Sequence, residues 1–221
     1  ADARPVDLEV FVEVINDVDH LVYASPDLRT GVERIETLLG VRATPGGQHL
    51  GGGTRNALVA LGPNRYLEII GPDPDQPDPE NPRMFGIDDL ASPGLVTWAA
   101  RSSNLEELVA GALRQGVKLG EISGGSRTMP EGVRLAWRFT NPRVVIAGGI
   151  VPFFIDWGQT LHPAHTAGQG AALVDLRAEH PNAEEVQEIL RKLGLGITVS
   201  RRPGAALVAT IKGPRGIVEL S

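Results

Sequence analysis

Glu68 has a setting that calls for an explanation, because it lies in the apolar, strand-like segment 66–70 (YLEII). A carboxylate buried among aliphatic side chains is costly unless it is paired or hydrogen bonded. His20 has a similar setting, in the apolar segment 19–24 (DHLVYA), about 48 residues earlier. Both side chains are therefore candidates for a polar site. The simplest interpretation is that they face a cleft and bond each other or an arginine.

Other side chains could line the same site. Arg55 and Arg127 each follow a glycine-containing segment at the start of a predicted strand. Their guanidinium groups suit carboxylate or phosphate, although structural ion pairing is the alternative. His162 lies in a proline-containing H-x-x-H segment and is a candidate for the pocket edge only, and His49 could reach the mouth of the cleft from a glycine-rich hairpin. The aromatic residues of the middle third either pack in the core or line the pocket; they are Trp98, Trp137, Phe153, Phe154 and Trp157.

Composition excludes several classes of function. The net charge of −6 and the pI near 5.4 argue against a nucleic-acid surface and against binding to anionic membranes. The absence of cysteine excludes a disulfide scaffold, a thiolate nucleophile and a Cys-ligated zinc site. No apolar run approaches the ~20 residues that span a bilayer. We expect a cytoplasmic protein whose partner is a small-molecule ligand, and we also consider a homodimer.

The order of strands and helices repeats three times along the chain. A short strand is followed by a helix over residues 30–39, again over 106–115, and again over 183–192. The glycines that end these helices, Gly40, Gly116 and Gly194, lie 76 and 78 residues apart. Three further short strands follow each helix, so each repeat is predicted to be a β-α-β-β-β module. The predicted fold class is α+β, with curved mixed sheets around a cleft.

The repeats and the segments between them also divide the chain into parts. Residues 1–17 form a leader that is either an extra edge strand or a short helix. Residues 18–158 hold modules one and two, joined by a proline-rich linker at about 72–92. Residues 171–221 form a third module without an internal partner.

This pattern resembles the vicinal oxygen chelate superfamily, and in particular its glyoxalase-like branch. The residues that carry the resemblance are the segments 19–24 (DHLVYA), 38–41 (LLGV), 53–56 (GTRN), 66–70 (YLEII), 137–139 (WRF) and 151–157 (VPFFIDW). The resemblance implies paired modules that curl into a cleft. It also implies metal ligands on the first and last strands of a module, which correspond to His20 and Glu68. Imidazole and carboxylate suit Zn, Ni, Mn or Fe as the divalent ion.

The second module departs from the family pattern. Thr97, with Trp98 beside it, stands where a second histidine is expected, and Asp156 stands near the position of a second glutamate. The sequence therefore does not supply all four metal ligands of the family pattern.

Two functions remain open at this stage. The first is a metal-dependent lyase or isomerase, similar to lactoylglutathione lyase, that acts on a small oxygenated compound. In it His20 and Glu68 bind the metal, and Glu68 or Asp156 moves the proton. The second is a metal-free protein that binds or sequesters a small molecule on the same fold. The expected substrate pocket consists of Arg55, Asn56, Thr97, Trp98, Arg127, Trp137, Phe154, Trp157 and His162.

Overall fold

The first module begins where strand, cap and helix signals follow one another. In a computed structural model that describes residues 16–128 and 134–221, strand β1 (Val18–Ala24) leads into helix α1 (Leu28–Leu39). Asp27 caps the helix by accepting a hydrogen bond from the backbone N–H of Thr30 at 2.7 Å. The helix ends at Gly40, whose φ of 72° is the left-handed conformation that glycine adopts readily.

The remaining elements follow the predicted order. The first module continues with β2 (Thr44–His49), β3 (Thr54–Gly62) and β4 (Arg65–Pro72). The second consists of β5 (Gly94–Arg101), α2 (Leu105–Arg114), β6 (Ile122–Thr128), β7 (Arg134–Thr140) and β8 (Phe153–Asp156). The third consists of β9 (Ala172–His180), α3 (Ala183–Lys192), β10 (Thr198–Arg201), β11 (Ala206–Gly213) and β12 (Gly216–Leu220). Short 3-10 helices cover Met84–Asp89, Ala147–Gly149 and Pro163–His165.

Modules one and two share one curved sheet of eight strands in the order β2-β3-β4-β1-β5-β8-β7-β6. The first strand of each module is parallel to its own last strand, and the two first strands pair antiparallel at the centre. The two halves therefore have mirrored strand orders around the β1/β5 seam. This arrangement confirms the predicted α+β fold class with curved mixed sheets.

The third module has the predicted order of elements but a different sheet. Its strands are ordered β10-β9-β11-β12, so that its first strand is internal and pairs parallel with its second. In module one the first strand pairs instead with the fourth. The third module therefore repeats the order of elements but not the strand pairing of module one, because linear order does not specify which strands become neighbours.

Alternation along the strands divides the side chains of the large sheet between two faces. On β1 and β4, Leu21, Tyr23, Leu67 and Ile69 belong to the main core on the helix side. The intervening residues, including Glu68, turn to the concave face. The predicted leader largely coincides with residues 1–15, which lie outside the described residues. In the described part of the chain, no helix is long and apolar enough to cross a membrane.

Candidate functional site

The concave face of the large sheet encloses a cavity of about 370 Å³. This volume lies near the lower end of the ~300–1,000 Å³ that small-molecule pockets occupy. Most of its polar side chains come from strands β1 to β4, and most of its aromatic rings come from β7, β8 and the residues that follow β8. Its lining includes His20, His49, Asn56, Tyr66, Glu68, Trp137, Phe153 and Trp157.

Glu68 lies on the floor of this cavity and is 7% exposed. Its Oε1 accepts a hydrogen bond of 2.6 Å from Nδ2 of Asn56. The backbone N–H of Gly47 donates to Oδ1 of Asn56 at 3.0 Å, which turns the amide so that its NH₂ group faces the carboxylate. The partner that this buried carboxylate requires is therefore an amide on the neighbouring strand.

His20 faces Glu68 across the floor. Its Nδ1 lies 2.8 Å from Oδ1 of Asp19, and its Nε2 lies 3.8 Å from Oε2 of Glu68. An ionised carboxylate only accepts hydrogen bonds, so Nδ1 carries a proton and Nε2 is the atom that faces the cavity. A separation of 3.8 Å is too long for a hydrogen bond and leaves Nε2 and Oε2 directed at the same space. Tyr66 stacks on the ring at 4.7 Å.

Asp19 is fully buried beneath the floor and is shared by several partners. Nε2 of His162 lies 3.2 Å from its Oδ2, Nε1 of Trp157 donates to both oxygens at 3.2 Å, and Nε of Arg101 lies 3.5 Å from Oδ2. Burial alone would raise the pKa of Asp19, but the hydrogen bonds and charges of His162 and His20 lower it below its usual range. Asp19 therefore stays ionised and orients His20.

A register shift in β1 explains how the side chains of Asp19 and His20, which are consecutive in sequence, can bond each other. The pairing of β1 with β5 skips between Val18 and His20, which is the signature of a bulge at Asp19. The sequence did not indicate Asp19 as a site residue, because a bulge depends on the partner strand. An acidic residue next to a strand histidine was the available signal.

His49 completes the polar end of the cavity. Its Nε2 lies 3.8 Å from Oε1 of Glu68 and 3.4 Å from Nδ2 of Asn56, and its Nδ1 lies 2.9 Å from Oγ1 of Thr54. The glycine-rich hairpin thus brings this histidine onto the carboxylate itself.

Aromatic rings form the opposite wall. The rings of Trp137 and Trp157 are 5.3 Å apart, and Phe153 meets His20 edge-on at 5.5 Å. Gly125 faces Trp137 so closely that an added Cβ would lie 2.5 Å from the indole. The cavity therefore has a polar floor and an apolar wall.

Two predicted pocket residues lie in the core and do not line the cavity. Trp98 is fully buried and donates from Nε1 to the carbonyl of Ile150 at 2.8 Å. Phe154 also belongs to the core, since alternation along β8 places only Phe153 and Ile155 on the cavity side.

Three polar candidates are engaged elsewhere. The hydroxyl of Thr97 donates to the carbonyl of Gly149 at 3.0 Å, and Arg55 pairs with Asp73 and Asp75 at 3.5 and 3.1 Å. Asp156 does not line the cavity, and its Oδ1 accepts from the backbone N–H of Gly158 at 2.8 Å. The structure thus brings His20, Asn56, Glu68, Trp137 and Trp157 together, with His162 in contact through Asp19.

Arg127 lies on β6, but its side chain is outside the described part of the structure. In the described residues, no lysine or arginine side chain lines the cavity. The nearest described guanidinium on this network, Arg101, faces Asp19 beneath the floor. Among the described side chains, a polar floor that holds Glu68 without a facing lysine or arginine favours a neutral ligand over a carboxylate or a phosphate.

The histidines that could bind a divalent ion approach different oxygens of Glu68. An ion between His20 and Glu68 would sit at Oε2, whereas His49 approaches Oε1. No three His, Asp or Glu side chains of the described residues converge on one point. Catalytic zinc sites use three protein ligands, and the second module supplies none because Thr97 and Asp156 are directed elsewhere. The described donor set therefore does not fit a resident catalytic metal.

Two modules joined through their first strands around a cleft define the vicinal oxygen chelate class. Residues 18–194 match the model of the glyoxalase-like domain family, and the chain belongs to this family. The sequence matches no curated protein.

The similar solved structures are distant in sequence. A hypothetical protein from Staphylococcus aureus has a TM-score of 0.59 at 13% identity, covering 91% of this chain and 83% of that one. A methylmalonyl-CoA epimerase from Mycobacterium tuberculosis has a TM-score of 0.42 at 20% identity, covering 66% of this chain and 90% of the epimerase. The first likeness supports the fold, and neither assigns an activity.

Proposed function

We propose that this protein is a lyase or isomerase that moves a proton next to the carbonyl group of a small, neutral, oxygenated substrate. One observation carries the proposal: a buried carboxylate and an oriented imidazole, Glu68 and His20, face the same cavity with 3.8 Å between Oε2 and Nε2. Buried ionisable groups that share a cleft and have fixed partners are typical of acid–base sites.

The distance between Glu68 and His20 allows the two groups to act on neighbouring atoms of one substrate. A general base and a general acid must each come within about 2.6–3.2 Å of the atom that they serve. Atoms 3.8 Å apart on Glu68 and His20 can reach a carbon and the adjacent carbonyl oxygen of one hydroxyketone. Glu68 then takes the proton from the carbon, the C–H electron pair forms the C=C bond of an enediol, and protonated His20 gives its Nε2 proton to the oxygen.

The second half of an isomerisation reverses these roles. Protonated Glu68 returns its proton to the neighbouring carbon, and His20 takes the proton of the other hydroxyl, so both groups regain their starting state. Asp19 stabilises the imidazolium form of His20 and keeps Nδ1 protonated throughout. Asn56 holds the Glu68 carboxylate in place through its amide.

Two other functions are alternative outcomes of the test. The metal-dependent enzyme that the family resemblance implies would use His20 and Glu68 as two of its ligands, with water or substrate completing the shell of a Zn, Ni, Mn or Fe ion. The pocket could also bind a ligand without chemistry. Metal content and proton exchange separate these functions from the metal-free enzyme.

The direct test follows deuterium exchange from D₂O into 1-hydroxy-2-alkanones of three to ten carbons by proton NMR. We expect exchange with the wild type and a loss of about 10²–10⁴-fold in Glu68→Gln. Glu179→Gln, a strand glutamate outside the cavity that lies 3.9 Å from Arg202, is the matched control and should match the wild type. Ligand binding without exchange across the series would overturn the enzymatic proposal and leave a binding protein.

A further inference from the structure

A second cavity, also of about 370 Å³, lies behind the aromatic wall of the first. It is enclosed by β5, the loop that precedes β8, and the start of β11. Its described lining includes no charged side chain, and the one hydroxyl, that of Thr97, is already bonded to a carbonyl. Residues that line only this second cavity include Val96, Val145, Val151 and Ala206.

The two cavities share a wall that is one aromatic layer thick. Phe85, Pro142 and Phe153 line both of them. The rings of Phe85 and Phe153 are 6.1 Å apart, and Phe153 also touches the ring of His20. A rotation of these rings would therefore connect the polar floor of the first cavity with the apolar interior of the second.

The backbone at this junction is in an uncommon conformation. Phe85 has a φ of 63°, in the left-handed region that bulky residues rarely adopt, and Gly86 continues with a φ of 66°. Ala147, the other non-glycine residue with positive φ in the described chain, precedes Gly148 and Gly149 on the far wall of the second cavity. Such conformations cost of order 1–3 kcal/mol and concentrate at functional sites.

We propose that the second cavity holds the hydrocarbon chain of the substrate whose oxygenated end lies between His20 and Glu68. This inference rests on the proposed function for the identity of the head group. The chemistry of the lining selects an apolar chain, because burial of a polar group there would leave it without partners. The substrate class is then a medium-chain hydroxyketone or a related neutral amphiphile, whose chain extends past Phe153 into the second cavity.

The test measures binding of the same 1-hydroxy-2-alkanones by calorimetry, in the wild type and in Glu68→Gln. Each buried methylene should tighten binding about fourfold until the second cavity is filled. Ala206→Phe places a ring in the second cavity without touching the first, so it should weaken the ten-carbon ligand by tenfold or more and leave the three-carbon ligand unchanged. Ala172→Phe, at an exposed position on β9 in the same sheet as Ala206, is the matched control.

The outcomes separate this inference from the proposed function. Affinity in the wild type that is flat beyond four or five carbons, despite proton exchange, would overturn the inference and leave the enzyme proposal standing. Affinity that rises with chain length in both wild type and Glu68→Gln, without any exchange, would support the tail site and overturn the catalytic role. If Ala206→Phe fails to fold, the dependence of wild-type affinity on chain length still tests the inference.

Discussion

Replacement of Asp19 by Asn tests whether the hydrogen bonds and ion pairs of this buried carboxylate stabilise the folded protein. The substitution keeps the shape of the side chain and one acceptor, which can still serve His20. It converts Oδ2 into an NH₂ group that faces Nε2 of His162 at 3.2 Å and Nε of Arg101 at 3.5 Å. Hydrogen bonds to charged groups contribute about 1.5–3 kcal/mol each, and removal of one partner from a buried pair costs about 3–5 kcal/mol.

We therefore expect Asp19→Asn to lower the free energy of unfolding by about 3 kcal/mol at pH 7, measured from urea unfolding curves. The pKa of Asp19 is lowered on folding, so its contribution is present above the usual value of 3.8 and is lost as the pH falls through the folded pKa. Below that usual value, the difference between wild type and variant should shrink by about 1.4 kcal/mol per pH unit.

The control for this experiment is Asp175→Asn on β9, a strand aspartate that lies 3.9 Å from Arg177 and outside the cavity. It should change stability by less than 1 kcal/mol. A loss below 1 kcal/mol in Asp19→Asn, or a difference that does not change between pH 7 and pH 3, would refute the assigned role of the buried carboxylate.

The remaining predictions concern the floor, the segment between β8 and β9, and the metal. Asn56→Asp sets a second carboxylate 2.6 Å from Glu68, so the acidic limb of the exchange-rate profile should move up by at least one pH unit; an unshifted limb would exclude Glu68 as the base. Gly168→Ala would bring a Cβ to 1.9 Å from the carbonyl of Arg42, and it should cost about 1–3 kcal/mol in thermal unfolding. Elemental analysis of protein purified without chelator should find substoichiometric Zn, Ni, Mn and Fe; one bound ion per chain, lost in His20→Ala, would establish the metal-dependent alternative.

The floor of the site was accessible from the sequence because it depends on local alternation. Glu68 within YLEII lies between two apolar neighbours that must face the core, and His20 within DHLVYA precedes Leu21, which does the same, so each polar side chain must face away from the core. The family resemblance then suggested that the two strands lie together, and in the structure β1 and β4 are parallel neighbours.

The residues that the structure places away from the predicted site depend on contacts that the linear sequence does not show. The sequence placed Asp156 and Thr97 near the site by analogy of position, yet each bonds a nearby or facing backbone group instead. His162 is held by Asp19, which is 143 residues away in sequence. A linear pattern contains no information on such pairings.

The sequence by itself determined the α+β class, the three strand-and-helix repeats, and the pair of ionisable residues on the first and last strands of module one. Only the tertiary structure decided that the third module pairs in a different strand order, that Asp19 turns at a bulge to orient His20, and that two cavities meet at Phe85 and Phe153. The physical reason is the range of the interactions. Periodicity and capping act over a few residues, whereas strand neighbours, bulges and cavities depend on segments that meet only when the chain has folded.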